Sequence, residues 1–240
     1  MENRVYLQPA YILHKQAFQN TSLLVDFFCV DYGRVRVVAR GARRAKSKYR
    51  PLLQIFQPLL ISLVGRGEVK TLAALESSVA NFELQGERLF SGLYLNELIT
   101  RILISNVEYS QLYKSYQSAL LALTGTDGLN IVLRRFELCL LKELGYAIDL
   151  EQDCVTGQPI NTDKKYLFIP NHGFECVASI QDSERTSVNV FLGKHIRELS
   201  ELSFCDQEST NAAKFILRIA LQAHLGDKPI HSRRLFAHSA

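Results

Sequence analysis

Residues 33–51 read GRVRVVARGARRAKSKYRP, and their interpretation decides the N-terminal fold. Arg34, Arg36, Arg40, Arg43, Arg44, Lys46, Lys48 and Arg50 place eight cations within residues 34–50, with no carboxylate among them. Such a run repels itself, and a polyanion relieves that repulsion. Its first half is also a strand. Val35 and Val37 alternate with Arg34 and Arg36, so one face enters a core while the other carries charge outward. The second half, residues 41–48, is small and basic without an apolar period and reads as a mobile loop. A rigid basic face continuing into a basic arm is a candidate nucleic-acid contact, and the flanking Tyr32 and Tyr49 add surfaces on which unpaired bases could stack.

The neighbouring segments make this strand the third of five. Val5 to His14 is an apolar opening strand, and TSLLVDFFCV (21–30) is β-branched and aromatic. Asp31-Tyr32-Gly33 turns the chain into Arg34–Arg40. Leu52 to Val64 is apolar but interrupted by Pro58, which favours an edge, bend or bulge. Gly65-Arg66-Gly67 is a hairpin signal before Glu68–Leu75. Five strands in about eighty residues, with a long connection after the third, predict a small closed barrel of the OB-fold type.

Near Asn81 the period changes. Helices are predicted over 87–104, 109–123 and 129–144, the last apolar around most of its circumference and therefore central in a bundle. Residues 149–180, with Gly157, Pro159, Pro170 and Gly173, form a small β-containing insertion. Further helices are predicted over 188–199 and 210–225. The expected architecture is α+β in two domains: residues 1–80 an OB-fold barrel, residues 81–240 a helical bundle with the insertion at about 149–180.

Charge follows the same division. The 240 residues carry a net +4, but residues 1–80 hold twelve Lys and Arg against five Asp and Glu, a local +7. Apolar runs such as Pro58–Val64 are too short to cross a membrane. The opening MENRVYLQPAYILHK lacks the apolar core and cleavage site of an export signal, so the expected location is cytoplasmic. Five scattered cysteines are not a disulfide framework.

No nucleophile elbow, phosphate loop, zinc-protease helix or dinucleotide fingerprint is present, and no enzymatic activity is expected. A nuclease would need clustered carboxylates, which residues 1–80 lack. Cys154 and Cys176 flank the insertion as the first members of two C-x-x-C pairs would. The second members are Gly157 and Ser179, so a four-thiolate zinc site cannot close and no metal or other cofactor is expected.

Taken jointly, GRVRVVARGARR (33–44), GRGEVKTL (65–72), FSGLYLNELITRIL (90–103), LRRFELCLLKELGY (133–146) and GDKPIHSRRLF (226–236) resemble the RecO family of bacterial recombinational-repair proteins. The matches run in order along essentially the whole chain. The resemblance implies an OB domain and a helical domain with a β insertion. It implies binding of single- and double-stranded DNA, annealing of complementary strands, and help in loading RecA onto strands coated by single-strand-binding protein (SSB). The implied partners are RecR, the acidic C-terminal tail of SSB and, indirectly, RecA, at the bacterial nucleoid. Many members of the family hold zinc through four cysteines, and this sequence resembles the zinc-free branch. For an acidic tail ending in a bulky apolar residue, Arg134 and Arg135 beside Leu138 and Leu112 offer a cationic rim on an apolar pocket. The rival reading from another class is an RNA-binding OB-fold accessory factor.

Overall fold

A computed structural model describes residues 4–77, 81–177, 189–226 and 229–236. The first five strands are β1 (Arg4–Phe18), β2 (Ser22–Cys29), β3 (Gly33–Ala39), β4 (Leu59–Val64) and β5 (Val69–Glu76). They close in the order β1-β2-β3-β5-β4, and β4 returns to β1. All the pairings are antiparallel except β3 with β5, which is parallel. Closure removes the free sheet edges, and this is the five-stranded OB-type barrel that the strand pattern predicts. Its interior is filled from alternate positions, including Val25, Phe27, Val35, Val37, Ile61 and Leu63.

Two strand limits differ from the pattern. β1 runs on to Phe18, paired with β2 up to Ser22. β4 begins only at Leu59, and the apolar residues before it lie in turns. Pro58 has no N–H for a ladder, so the strand starts after it.

The chain divides into two compact units, residues 1–126 with 229–240, and residues 127–228. In the first unit, the barrel is joined by α1 (Gly86–Ile102) and α2 (Ser110–Thr124). The outer faces of β1 and β2 explain why. Tyr11 and Phe28 point out of the barrel yet are fully buried, their rings 5.3–5.9 Å from those of Tyr113 and Tyr116 on α2. Asn96 of α1 is the polar pin. It donates to the carbonyls of Ile12 (3.4 Å) and Leu13 (3.1 Å) and accepts the Tyr116 hydroxyl at 2.6 Å. Leu13 sits where the β1–β2 register slips, so Asn96 satisfies a carbonyl at that irregularity. Gly33 (φ +56°) lies so close to the Val107 carbonyl that a Cβ there would collide with it.

The C-terminal segment also belongs to this unit. Glu97 of α1 accepts from the backbone N–H groups of His231 and Ser232, each at 2.8 Å, and from the Ser232 hydroxyl at 2.7 Å. The short helix α6 (Arg233–Phe236) follows, with Phe236 edge-on to Phe90 at 5.8 Å.

The second unit holds α3 (Leu129–Glu143), strands β6 (Lys165–Ile169), β7 (Gly173–Cys176) and β8 (Val190–Leu192), then α4 (Gly193–Glu201) and α5 (Gln207–Leu225). The strands form one sheet in the order β7-β6-β8. β8 falls inside the segment predicted as helix from 188. Val190-Phe191-Leu192 suits a strand, and the helix starts only at Gly193. Residues 178–188, which include the end of the predicted insertion and Ser179, lie outside the described residues.

Candidate nucleic-acid interface

The basic strand does not present its arginines uniformly. Arg34 pairs opposite Phe28, so it emerges beneath the helices that cover that part of the barrel. Its guanidinium donates to the Thr100 carbonyl in the last turn of α1 and to Ser105 Oγ at 2.9 Å. A cation there complements the unpaired carbonyls of a helix C-terminus. Arg36 pairs opposite Asp26. Nε reaches Oδ1 at 2.8 Å and Nη2 reaches Oδ2 at 3.1 Å. The Asp26 side chain is buried, and its hydrogen bonds hold the Arg36 guanidinium above its ordinary pKa. Of the three arginines expected to form an outward platform, Arg34 is half-buried and donates to acceptors within the protein, Arg36 is exposed but paired with Asp26, and Arg40 is exposed.

The remaining six cations, Arg40, Arg43, Arg44, Lys46, Lys48 and Arg50, are exposed. Among the described residues none of them pairs with a carboxylate. They sit on a string of turns, where the sequence suggests a structureless arm. Arg43 N–H bonds Thr21 O (2.9 Å), Arg44 N–H bonds Gly41 O (3.1 Å) and Ser47 N–H bonds Arg44 O (3.0 Å). Ala42 and Leu53 enter the barrel core from either end of the segment. The Tyr49 hydroxyl donates to the Ala73 carbonyl at 3.2 Å, and Lys15 Nζ donates to Leu53 O. Anchored in this way, the turns hold six positive side chains over a limited stretch of barrel surface.

The two tyrosines proposed for base stacking have other duties. Tyr32 and Tyr49 are half-buried and pack against the barrel core. Lys48 Nζ lies 5.3 Å from the centre of the Tyr49 ring.

On α3, Arg134 and Arg135 diverge. Arg134 is buried, with Nε 2.7 Å and Nη2 2.8 Å from the carboxylate oxygens of Glu137. Arg135 is exposed and Leu138, one turn on, is half-buried. Leu112 is fully buried on α2. Arg134 is thus committed to Glu137, leaving Arg135 as the exposed cation of the pair.

The insertion is organised by a carboxylate. Asp153 is buried and accepts through Oδ1 from the N–H groups of Val155 and Thr156 (2.9 Å each), and through Oδ2 from that of Cys176 (2.8 Å). Burial pushes this carboxyl up, but the three backbone hydrogen bonds outweigh it and hold the group below its usual range. These residues do not suit a zinc site: Cys154 is exposed, Cys176 is half-buried, and Asp153 already accepts three backbone hydrogen bonds. Among the described residues no three His, Cys, Asp or Glu side chains gather as metal ligands.

Comparison with known proteins agrees with this architecture. The family model Recombination protein O N terminal matches residues 1–79, and Recombination protein O C terminal matches residues 83–234. DNA repair protein RecO of Idiomarina loihiensis is 42% identical over 231 residues, covering 95% of this chain and 97% of its own. The protein of the same name from Enterobacter sp. (strain 638) is 44% identical over 95% of both chains, and that of Coxiella burnetii is 40% identical over 98% and 99%. The chain belongs to the RecO family. Among the described residues, no helix is long and apolar enough to cross a membrane.

Proposed function

We infer that this chain is a DNA-binding recombination mediator in DNA repair that works without catalysing a covalent step. The observation that carries the reading is the set of six exposed cations, none paired with a carboxylate among the described residues, carried on anchored turns of an OB-type barrel, in a chain whose relatives bear the name DNA repair protein RecO. Two complementary strands repel through their phosphates. A surface that neutralises part of both lowers this barrier, so annealing proceeds without nucleotide hydrolysis or a catalytic residue. Arg40, Arg43, Arg44, Lys46, Lys48 and Arg50 grip the strands. Arg34 and Arg36 hold the barrel in shape beneath them.

The family resemblance extends the reading. With RecR, the protein helps RecA onto DNA coated by SSB, at the nucleoid in the cytoplasm. Residues 1–80 bind DNA while residues 81–240 engage partners. Arg135 and Leu138 supply a cation and an apolar contact for the acidic, apolar-ended tail of SSB. Annealing of complementary oligonucleotides coated with SSB, with and without this protein, tests the reading. Acceleration that needs no ATP is expected. Absence of acceleration, or equal preference for RNA in competition, would replace it with the RNA-binding alternative.

A further inference from the structure

Ser62 on β4 is flanked by an irregularity on each side. Toward β1, Val5 pairs with Leu63 and Gln8 with Ile61, so Tyr6 and Leu7 together oppose Ser62. Toward β5, Ser62 pairs with Ala74 and Leu63 with Leu72, leaving Ala73 as the extra residue. Bulges of this kind re-aim side chains and concentrate near binding sites.

The β1 bulge aims two apolar groups at solvent. Tyr6 is 69% exposed and Leu7 52%, and Leu7 adopts the left-handed backbone (φ +47°) that a leucine disfavours. The Leu7 N–H donates to Ser62 Oγ at 3.2 Å, which fixes the bulge to the floor beside it. That floor is made of small side chains, Ser62, Ala73 and Ala74. On its far side the Ala73 carbonyl accepts the Tyr49 hydroxyl, which ties the cationic turns to the same patch. Two strand spacings, about 10 Å, separate the Tyr6 bulge from that edge. Exposed Arg4 lies two residues before Tyr6, and its pairing partner Val64 leads into the hairpin carrying exposed Arg66. Of the acids of this region, Glu68 precedes β5 and Glu76 ends it.

We propose that the bulge at Tyr6 is a stacking platform for an unpaired base of the strand held by residues 40–50. This rests on the DNA-binding reading above. The ring is exposed, the backbone beside it is held by the Leu7–Ser62 hydrogen bond, and cations stand on both sides of the patch. Base stacking on an aromatic ring is sequence-tolerant and unavailable to a paired duplex. Tyr6 therefore favours single strands, while the cations serve both forms of DNA.

The test uses the full-length protein with an oligo(dT) of about 16 nucleotides, the upper site size of one OB fold, and with a duplex of equal length. Tyr6→Ala should weaken the single-strand complex by about five- to a hundredfold. Duplex affinity and the salt dependence should stay as in wild type, and Tyr6→Phe should retain single-strand affinity. An oligonucleotide carrying iododeoxyuridine should photocrosslink to the peptide containing Tyr6. If wild type binds oligo(dT) and Tyr6→Ala binds it equally well, the platform is overturned and the patch passes to a protein partner. Equal losses on both DNA forms with a shallower salt dependence also overturn it, since Tyr6 would then serve the phosphate path. Failure of wild type to bind oligo(dT) would instead remove the DNA reading itself, and the platform with it.

Discussion

Arg36 and Asp26 face each other across β2 and β3 and meet through two nearly parallel hydrogen bonds of 2.8 and 3.1 Å. The pair divides the basic run by function. A charge bound to a buried carboxylate on the outer face of the barrel is held by the fold. Arg36→Ala leaves the Asp26 carboxylate buried without its partner. Because Arg36 itself is partly exposed, water recovers some of the loss, and a destabilisation of about 1–2 kcal/mol is expected in urea melts. Affinity of the folded variant for single-stranded DNA should stay near wild type. A large affinity loss at unchanged stability would return Arg36 to the interface.

Asn96→Ala removes three hydrogen bonds at once, two to the Ile12 and Leu13 carbonyls and one from the Tyr116 hydroxyl, in a buried setting. A loss of about 2–4 kcal/mol is expected, read as a lower melting temperature. Asn96→Asp should be no better, since a carboxylate offers no donor to either carbonyl.

Asp153 predicts an acid-sensitive insertion. Its carboxyl is held below the ordinary value of about 3.9, so the ionised form is the one the fold stabilises. That stabilisation is fully present above the unfolded value and is lost as pH falls through the lower, folded one. Hydrogen exchange at Val155, Thr156 and Cys176 should accelerate together below about pH 4. Asp153→Asn should produce the same acceleration at neutral pH, with a destabilisation of about 2–4 kcal/mol.

The donor set around Cys154 and Cys176 predicts indifference to chelation. Dialysis against a strong zinc chelator should leave the melting temperature unchanged, and Cys154→Ser should do the same. A drop on chelation that zinc restores would mean that a metal contributes to this unit.

Much of this was legible in the residues. Alternation of Val35 and Val37 with Arg34 and Arg36 predicts β3, and Pro58 marks where β4 can begin. The apolar run Phe27-Phe28-Cys29 also carries a signal of burial on both faces, which the structure explains by α2 packing over Phe28. Other features are tertiary and leave no local trace. Arg34 and Arg40 look alike in sequence, yet one meets the carbonyl end of α1 and the other meets water. The partners that fix Arg34 are a backbone carbonyl and a serine more than sixty residues away. The Tyr6 bulge is equally hidden, because simple alternation from Val5 would place Leu7 inward. The short strand β8 was masked by the helical pattern that follows it.

On α3, Arg135→Ala should weaken binding of a peptide with an acidic, apolar-ended sequence by about 1 kcal/mol, as expected for an exposed charge contact. Arg134→Ala should instead lower stability, by removing the ion pair with buried Glu137. Calorimetry with an SSB-tail peptide beside a thermal melt separates the two effects.

The central claim is that the exposed cations of residues 40–50 grip the strand through its phosphates. The most direct test is the affinity for oligo(dT) measured across a range of salt concentrations. With about five of the six cations engaged, log K should fall against log salt with a slope of roughly −3 to −4. Replacing Arg43 and Arg44 together with alanine should make that slope shallower by about 1.4, with the same loss on every sequence tested. A wild-type slope near zero, or a double variant with an unchanged slope, would contradict the account.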